Sequence, residues 1–179
     1  MFSIRLLGVA LLAALPAFSQ ADQIKPPQAM LRWTLREKPE QILRILGKPD
    51  RVDDSIKAYQ SWQYESADNE DRDDNSPPSY ILCVQTAGQQ LLSLTRNFVS
   101  PQAVDDLFPL ADTRTYHWPS KEAPRFSLRL RPLSPETLLL AMGTAKPGDR
   151  TTQLILIRRS ALKLFIPWLD QQLDNEPRQ

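Results

Sequence analysis

Tyr80-Ile-Leu-Cys-Val-Gln-Thr-Ala-Gly-Gln-Gln-Leu-Leu-Ser-Leu-Thr-Arg-Asn-Phe98 is the stretch that decides how this chain folds. Two β-prone runs, Tyr80 to Thr86 and Leu91 to Phe98, flank Ala87-Gly88-Gln89-Gln90, so the segment reads as an antiparallel hairpin. In the second run Leu92, Leu94 and Phe98 share a face with Arg96. Just upstream, Ala58 to Glu65 alternates, with Gln60, Trp62 and Tyr64 on one side and Tyr59, Ser61 and Gln63 on the other, which predicts another strand. Between them, Ser66–Ser79 is crowded with acids, asparagines and a Pro-Pro pair, the composition of an exposed loop.

Working outward, Pro39 to Leu46 predicts a short amphipathic helix. Proline takes the first helical position, and Ile42, Ile45 and Leu46 recur on one side. Gly47 supplies the stop and Pro49 prevents continuation. Met30 to Leu35 is short and mixed, an edge segment. In the second half, Ser100-Pro101 predicts another helix opening, with Val104, Leu107 and Phe108 as its apolar stripe. Thr113 to Trp118 and Arg125 to Arg131 read as strands, and Leu138 to Met142 with Thr152 to Arg159 as a second hairpin around Ala145–Asp149. A rival reading starts a helix at Ser134-Pro135-Glu136 and runs it to Met142. Ala161 to Leu173 closes the chain as a helix split by Pro167.

An offset of 62 superposes Pro39, Ile42, Ile45, Leu46 and Asp50 on Pro101, Val104, Leu107, Phe108 and Asp112. The expectation is an α+β fold, mainly antiparallel sheet with short helices on one face, with two degenerate tandem helix-plus-hairpin units as a further option. The units are residues 30–99 and 100–174, after a loose leader at 22–29 and before a tail at 175–179.

The residues Pro39-Glu-Gln-Ile-Leu-Arg-Ile-Leu-Gly47-Lys-Pro49-Asp50, then Trp62-Gln-Tyr64, then Leu91–Phe98, resemble the SmpA/OmlA family of small bacterial envelope proteins and the related fold of the β-lactamase inhibitor protein. In that pattern a short helix ends in Leu-Gly-x-Pro, a strand carries Trp-x-Tyr, and a closing strand ends in phenylalanine. The resemblance covers residues 39–98. It departs from the family where Glu37-Lys38 stand in place of a glycine-methionine-threonine start, and no lipidated N-terminal cysteine is present.

The compartment is read from residues 1–21. Arg5, the apolar run Leu6 to Leu15 and the small residues Ser19 and Ala21 have the order of a secretory signal cleaved before Asp22. The run is half the length that a membrane span needs. No later segment is apolar enough to span, so the mature chain is expected in the periplasm, soluble, with secretion as second choice. The full chain of 179 residues carries 22 basic and 21 acidic side chains, and the leader removes only Arg5. The mature balance is therefore neutral, which argues against nucleic acid as a partner. The excess is uneven, acidic up to Leu110 and basic from Ala111, which allows either two faces for partners or ordinary solvated charge.

The residue inventory excludes much. One cysteine and one histidine rule out a disulfide scaffold and the usual four-ligand zinc cage. Cys83 sits mid-strand among Ile81, Leu82 and Val84, where a thiol behaves as a small hydrophobe. His117 alternates with Tyr116 and Trp118 and is expected to face water. Gly143-Thr-Ala-Lys-Pro-Gly148 has the glycine spacing of a phosphate loop, but Asp149 stands where lysine is required, so it is a turn. The acidic run Asp68–Asp74 has oxygen ligands for calcium without the calcium loop's glycine and distal glutamate, so it reads as solvated charge. No cofactor, metal or catalytic residue is nominated.

The pattern that points to a partner is basic. Arg125, Arg129 and Arg131 alternate against Phe126, Leu128 and Leu130, and Arg158 and Arg159 follow in the same half. Guanidinium groups on one sheet face suit carboxylate or phosphate. The expectation is a non-catalytic binding or scaffold protein of the envelope that recognises a protein or anionic partner through a sheet face. The alternative is a small periplasmic hydrolase using dispersed carboxylates with His117. The oligomeric state is not legible.

Overall fold

The computed structural model describes residues 28–65, 76–107, 113–118, 127–143 and 150–176. The leader 1–21, the acidic run Asp68–Asp74, Arg125 and the turn 144–149 lie outside the described residues. Within them the chain forms one eight-stranded antiparallel sheet. In chain order the strands are β1 (Arg51–Asp53), β2 (Tyr59–Tyr64), β3 (Tyr80–Gln85), β4 (Leu91–Ala103), β5 (Arg114–His117), β6 (Ser127–Ser134), β7 (Thr137–Gly143) and β8 (Arg150–Arg158). Their spatial order is β1-β2-β3-β4-β8-β7-β6-β5, so two meanders meet where β4 pairs with β8. The helices are α1 (Pro39–Leu46), α2 (Val104–Leu107), α3 (Leu162–Phe165) and α4 (Pro167–Asp174).

The sheet is apolar on both sides, and that decides where the helices go. Along β7 and β8, Leu139, Ala141, Leu154 and Leu156 enter one core while Leu138, Leu140, Ile155 and Ile157 belong to the other. Continuous apolar runs of this kind mark strands covered on both faces. The first face, here the α1 face, is covered by residues 28–46 and α2, which bring Met30, Trp33, Leu35, Ile42 and Val104 to it. The opposite α4 face is covered by α3 and α4 through Leu162 and Leu169, both fully buried.

This corrects the expected α+β class with short helices on one face. The molecule is a sheet-dominated antiparallel platform whose helices of four to eight residues are split between its two sides. A cover on one side alone would leave a row of leucine and isoleucine in water. The two halves also share their cores: Leu82 and Leu94 pack in one cluster with Leu139 and Leu154. β4 extends past residue 99, where the sequence divides into units, with a shift in its pairing to β8 between Asn97 and Gln102.

Other local departures have identifiable causes. Ser100-Pro101 does not cap a helix, because β4 continues to pair with β8 at Gln102↔Thr151 and Ala103↔Arg150, which leaves α2 a single turn. Met30 to Leu35 is not an edge strand. It is a strap that starts from a 3-10 turn at Gln28–Met30 and puts Leu31, Arg32 and Leu35 in the left-handed region, φ 55° to 65°. Burial of Met30, Trp33 and Leu35 supports that strained path. β6 and β7 form their own hairpin across Pro135-Glu136, with Ser134 opposite Thr137, so Leu138 to Met142 is strand and not helix. Elsewhere Pro39–Leu46 forms a helix ending at Gly47, φ 79°, and Gly88, φ 84°, turns the chain between β3 and β4.

Candidate functional site

Alternation correctly puts Arg129 and Arg131 on one side of β6, but it is the covered α1 face. Leu128 and Leu130 take the α4 face and pack there. Arg129 is 5% exposed, and its Nη1 donates to Asp105 Oδ1 of α2 at 2.8 Å. Arg131 is half-buried, and its Nε has no acceptor among the described residues. Arg158 ends β8 as a rivet for the strap: Nε donates to Leu91 O at 2.8 Å, and Nη2 donates to Leu35 O. Arg159 points to the other side, where it engages Asp170 and, at 2.6 Å, Asp174 of α4. The described arginines thus do not gather into one surface. Arg129, Arg158 and Arg159 tie covering segments to the sheet, and Arg125 lies outside the described residues.

His117 is exposed at the end of β5. Glu176, the carboxylate held against β5, is engaged by Arg114 and accepts a 2.7 Å hydrogen bond from the Tyr116 hydroxyl. Burial, with that hydrogen bond adding to it, pushes the Tyr116 phenol up to about 12. Among the described residues there is no group of three or more His, Cys, Asp or Glu side chains arranged to hold a metal ion.

A larger, polar recess of about 510 Å³ lies between the start of α1, the β3–β4 turn and Arg158, and it is lined by charged side chains; the apolar concave site lies on the α4 face. β4 contributes small polar side chains there, Ser93 and Thr95. They stand across from Ile157 and Ile155 of β8, and Cys83 of β3 stands directly opposite Ser93. On the other side of the same strands Leu82, Leu94, Leu154 and Leu156 are fully buried. Ile155 and Thr95, at the middle of the sheet, are only half-buried. The small floor leaves space beneath the C-terminal helices.

The roof follows from Pro167. It cannot donate the backbone bond that would carry α3 onward, so the chain breaks at Ile166, φ −138° and ψ 64°, and restarts as α4. Ile166, Pro167 and Trp168, the residues of the break, lean over the floor with Phe165. Trp168 meets Trp118 edge to face, centroids 5.2 Å apart at 77°, and Phe165 meets Tyr59 at 4.9 Å. Arg159 holds α4 down from its far side through Asp170 and Asp174. The result is a recess of about 340 Å³ with no charged residue among the described residues of its lining.

Cys83 is 8% exposed at the floor. Burial pushes its thiol up, opposed by a hydrogen bond with the Ser93 side chain, so it stays protonated at neutral pH. Its chemistry is that of a weak neutral donor in an apolar wall.

Sequence reasoning anticipated Cys83 as buried and missed the recess. The available signal was Ser93 and Thr95 interrupting an apolar strand in alternation, combined with the Pro167 break between two aromatic residues.

No family model matches the sequence. No curated protein matches it either. Among solved structures, a cysteine-rich secretory protein from Staphylococcus aureus is 10% identical over 79% of this chain and 50% of that chain, with a TM-score of 0.47. This chain spans half the length of that protein, and a likeness at that level says nothing about what it binds. No helix among the described residues is long and apolar enough to cross a membrane.

Proposed function

We propose that this chain is an exported, non-catalytic binding protein of the bacterial cell envelope that takes its partner on the α4 face. The single observation that carries the reading is the opening at mid-sheet. Ile155 is half-exposed in a recess with no charge among its described lining residues, although Leu140 and Ile157 beside it on the same face are buried. A folded chain does not leave central sheet residues open without cost, so a recess of this size is the natural place for a ligand. Export and envelope location are supported by the leader at residues 1–21 and by the SmpA/OmlA-like pattern of residues 39–98.

The test is fractionation with site-specific photo-crosslinking. The chain is expressed in a Gram-negative host with a photoreactive phenylalanine derivative at Trp118, which keeps an aromatic ring in the recess wall, or at Ile45, exposed on α1. The reading predicts periplasmic protein with adducts from Trp118 and none from Ile45. Cytosolic retention, or the same adducts from both positions, would refute it.

A further inference from the structure

We propose that the recess on the α4 face binds the hydrocarbon tail of a monomeric single-chain amphiphile. The proposal rests on the reading of that face as the binding surface and names its ligand.

Size comes first. A cavity of ~150 Å³ is known to admit benzene, so a recess of about 340 Å³ takes a ligand of about a dozen carbon atoms. That exceeds one protruding side chain and falls short of a two-tailed lipid. The lining is chemically simple. Large apolar groups, Trp168, Phe165, Met142 and Ile155, surround a floor whose polar side chains, among the described residues, are the Cys83 thiol and the Ser93 and Thr95 hydroxyls. An ionised group buried there would meet no counter-charge among the described residues, which places a charged head at the mouth, where Trp118 is 41% exposed.

The same inventory decides between a hydrocarbon tail and a peptide. An extended peptide brings an N–H and a C=O with every residue, and each needs a partner when water is removed. Two hydroxyls and a thiol cannot satisfy a segment long enough to fill the recess. A hydrocarbon chain asks for nothing from the wall except contact with it. The recess is also sunk between the sheet and the α3–α4 break, so the tail must enter as a free molecule and not from a flat bilayer.

The experiment uses the purified protein titrated with 1-hexanol, 1-octanol, 1-decanol, dodecanol and sodium dodecanoate, all below their aggregation limits. Heat and tryptophan emission are the readouts. Saturable one-to-one binding is expected, tightening about fourfold for each added methylene from hexanol to dodecanol. Dodecanol should slow N-ethylmaleimide modification of Cys83 at least tenfold, a readout that needs no variant. Thr95→Phe, which fills the floor, should weaken dodecanol at least tenfold.

Equal binding by Thr95→Phe in its folded form, or binding without Cys83 protection, overturns the proposal. So does binding only to vesicles of phosphatidylcholine and phosphatidylglycerol with no monomer uptake. If the amphiphiles fail while Trp118 still cross-links a partner, the ligand class is wrong and the binding face stands. If both fail, both fall.

Discussion

The indoles of Trp118 and Trp168 meet edge to face, with centroids 5.2 Å apart and planes at 77°. Trp118 follows an edge strand and Trp168 opens the last helix, so this contact joins sheet to roof beside the recess. Such aromatic pairs contribute about 0.5–1.5 kcal/mol beyond their buried area. Trp118→Ala should therefore lower unfolding stability by about 1 kcal/mol in urea titration and weaken dodecanol more than tenfold. A large stability loss with unchanged binding would mean that the pair is only a structural contact.

The covering segments depend on arginines. Because Asp105 is more than a third exposed, solvent screening holds the cost of Asp105→Asn to about 1 kcal/mol. Arg158→Ala removes donors from the carbonyls of Leu35 and Leu91 and should cost more, about 2 kcal/mol. Native-state hydrogen exchange should then show the strap around Leu35 opening while α4 stays protected. Uniform loss of protection over both faces would contradict separate fastening of the two covers.

This is also where the sequence stops being legible. Pro39–Leu46 carries its own start and stop signals and forms as they dictate. The strands from Tyr80 to Phe98 follow from their own residues and the glycine between them. What β6 does with Arg129 does not follow from β6 alone. Alternation tells which residues share a side, and only the packing of α2 tells that the side is covered. The helices at the two ends of the chain likewise choose opposite faces because β7 and β8 are apolar on both sides. That is a property of the assembled sheet, not of either helix. The recess is further removed, since it joins Ser93, Pro167 and Trp118 across the chain.

Alkaline pH should weaken the fold in a defined window. Tyr64 is raised to about 12 by burial, with Asp50 adding to it, and Tyr116 to about 12 by burial and Glu176. Since the folded values exceed the ordinary 10, the stabilisation is full below pH 10 and is lost as pH rises from 10 towards 12. Tyr64→Phe and Tyr116→Phe together should flatten the decline of stability across that window. An unchanged slope would show that these phenols are not responsible.

The double-sided core makes a further prediction. Leu139→Ala on the α1 face and Leu140→Ala on the α4 face remove fully buried side chains from one strand. Each should cost about 2–5 kcal/mol by urea titration. Leu140→Ala should also alter amphiphile binding, while Leu139→Ala should not. Equal effects on binding would mean that the two faces are not independent.

The most direct measurement is the rate of N-ethylmaleimide reaction at Cys83 with and without saturating dodecanol, at a pH where the native fold is intact. Because the thiol forms the floor and is held protonated, it should react far more slowly than in urea-unfolded chain and become at least tenfold slower again when the tail is bound. A rate that dodecanol leaves untouched, in protein shown by heat to have bound it, would place the ligand elsewhere and contradict the account.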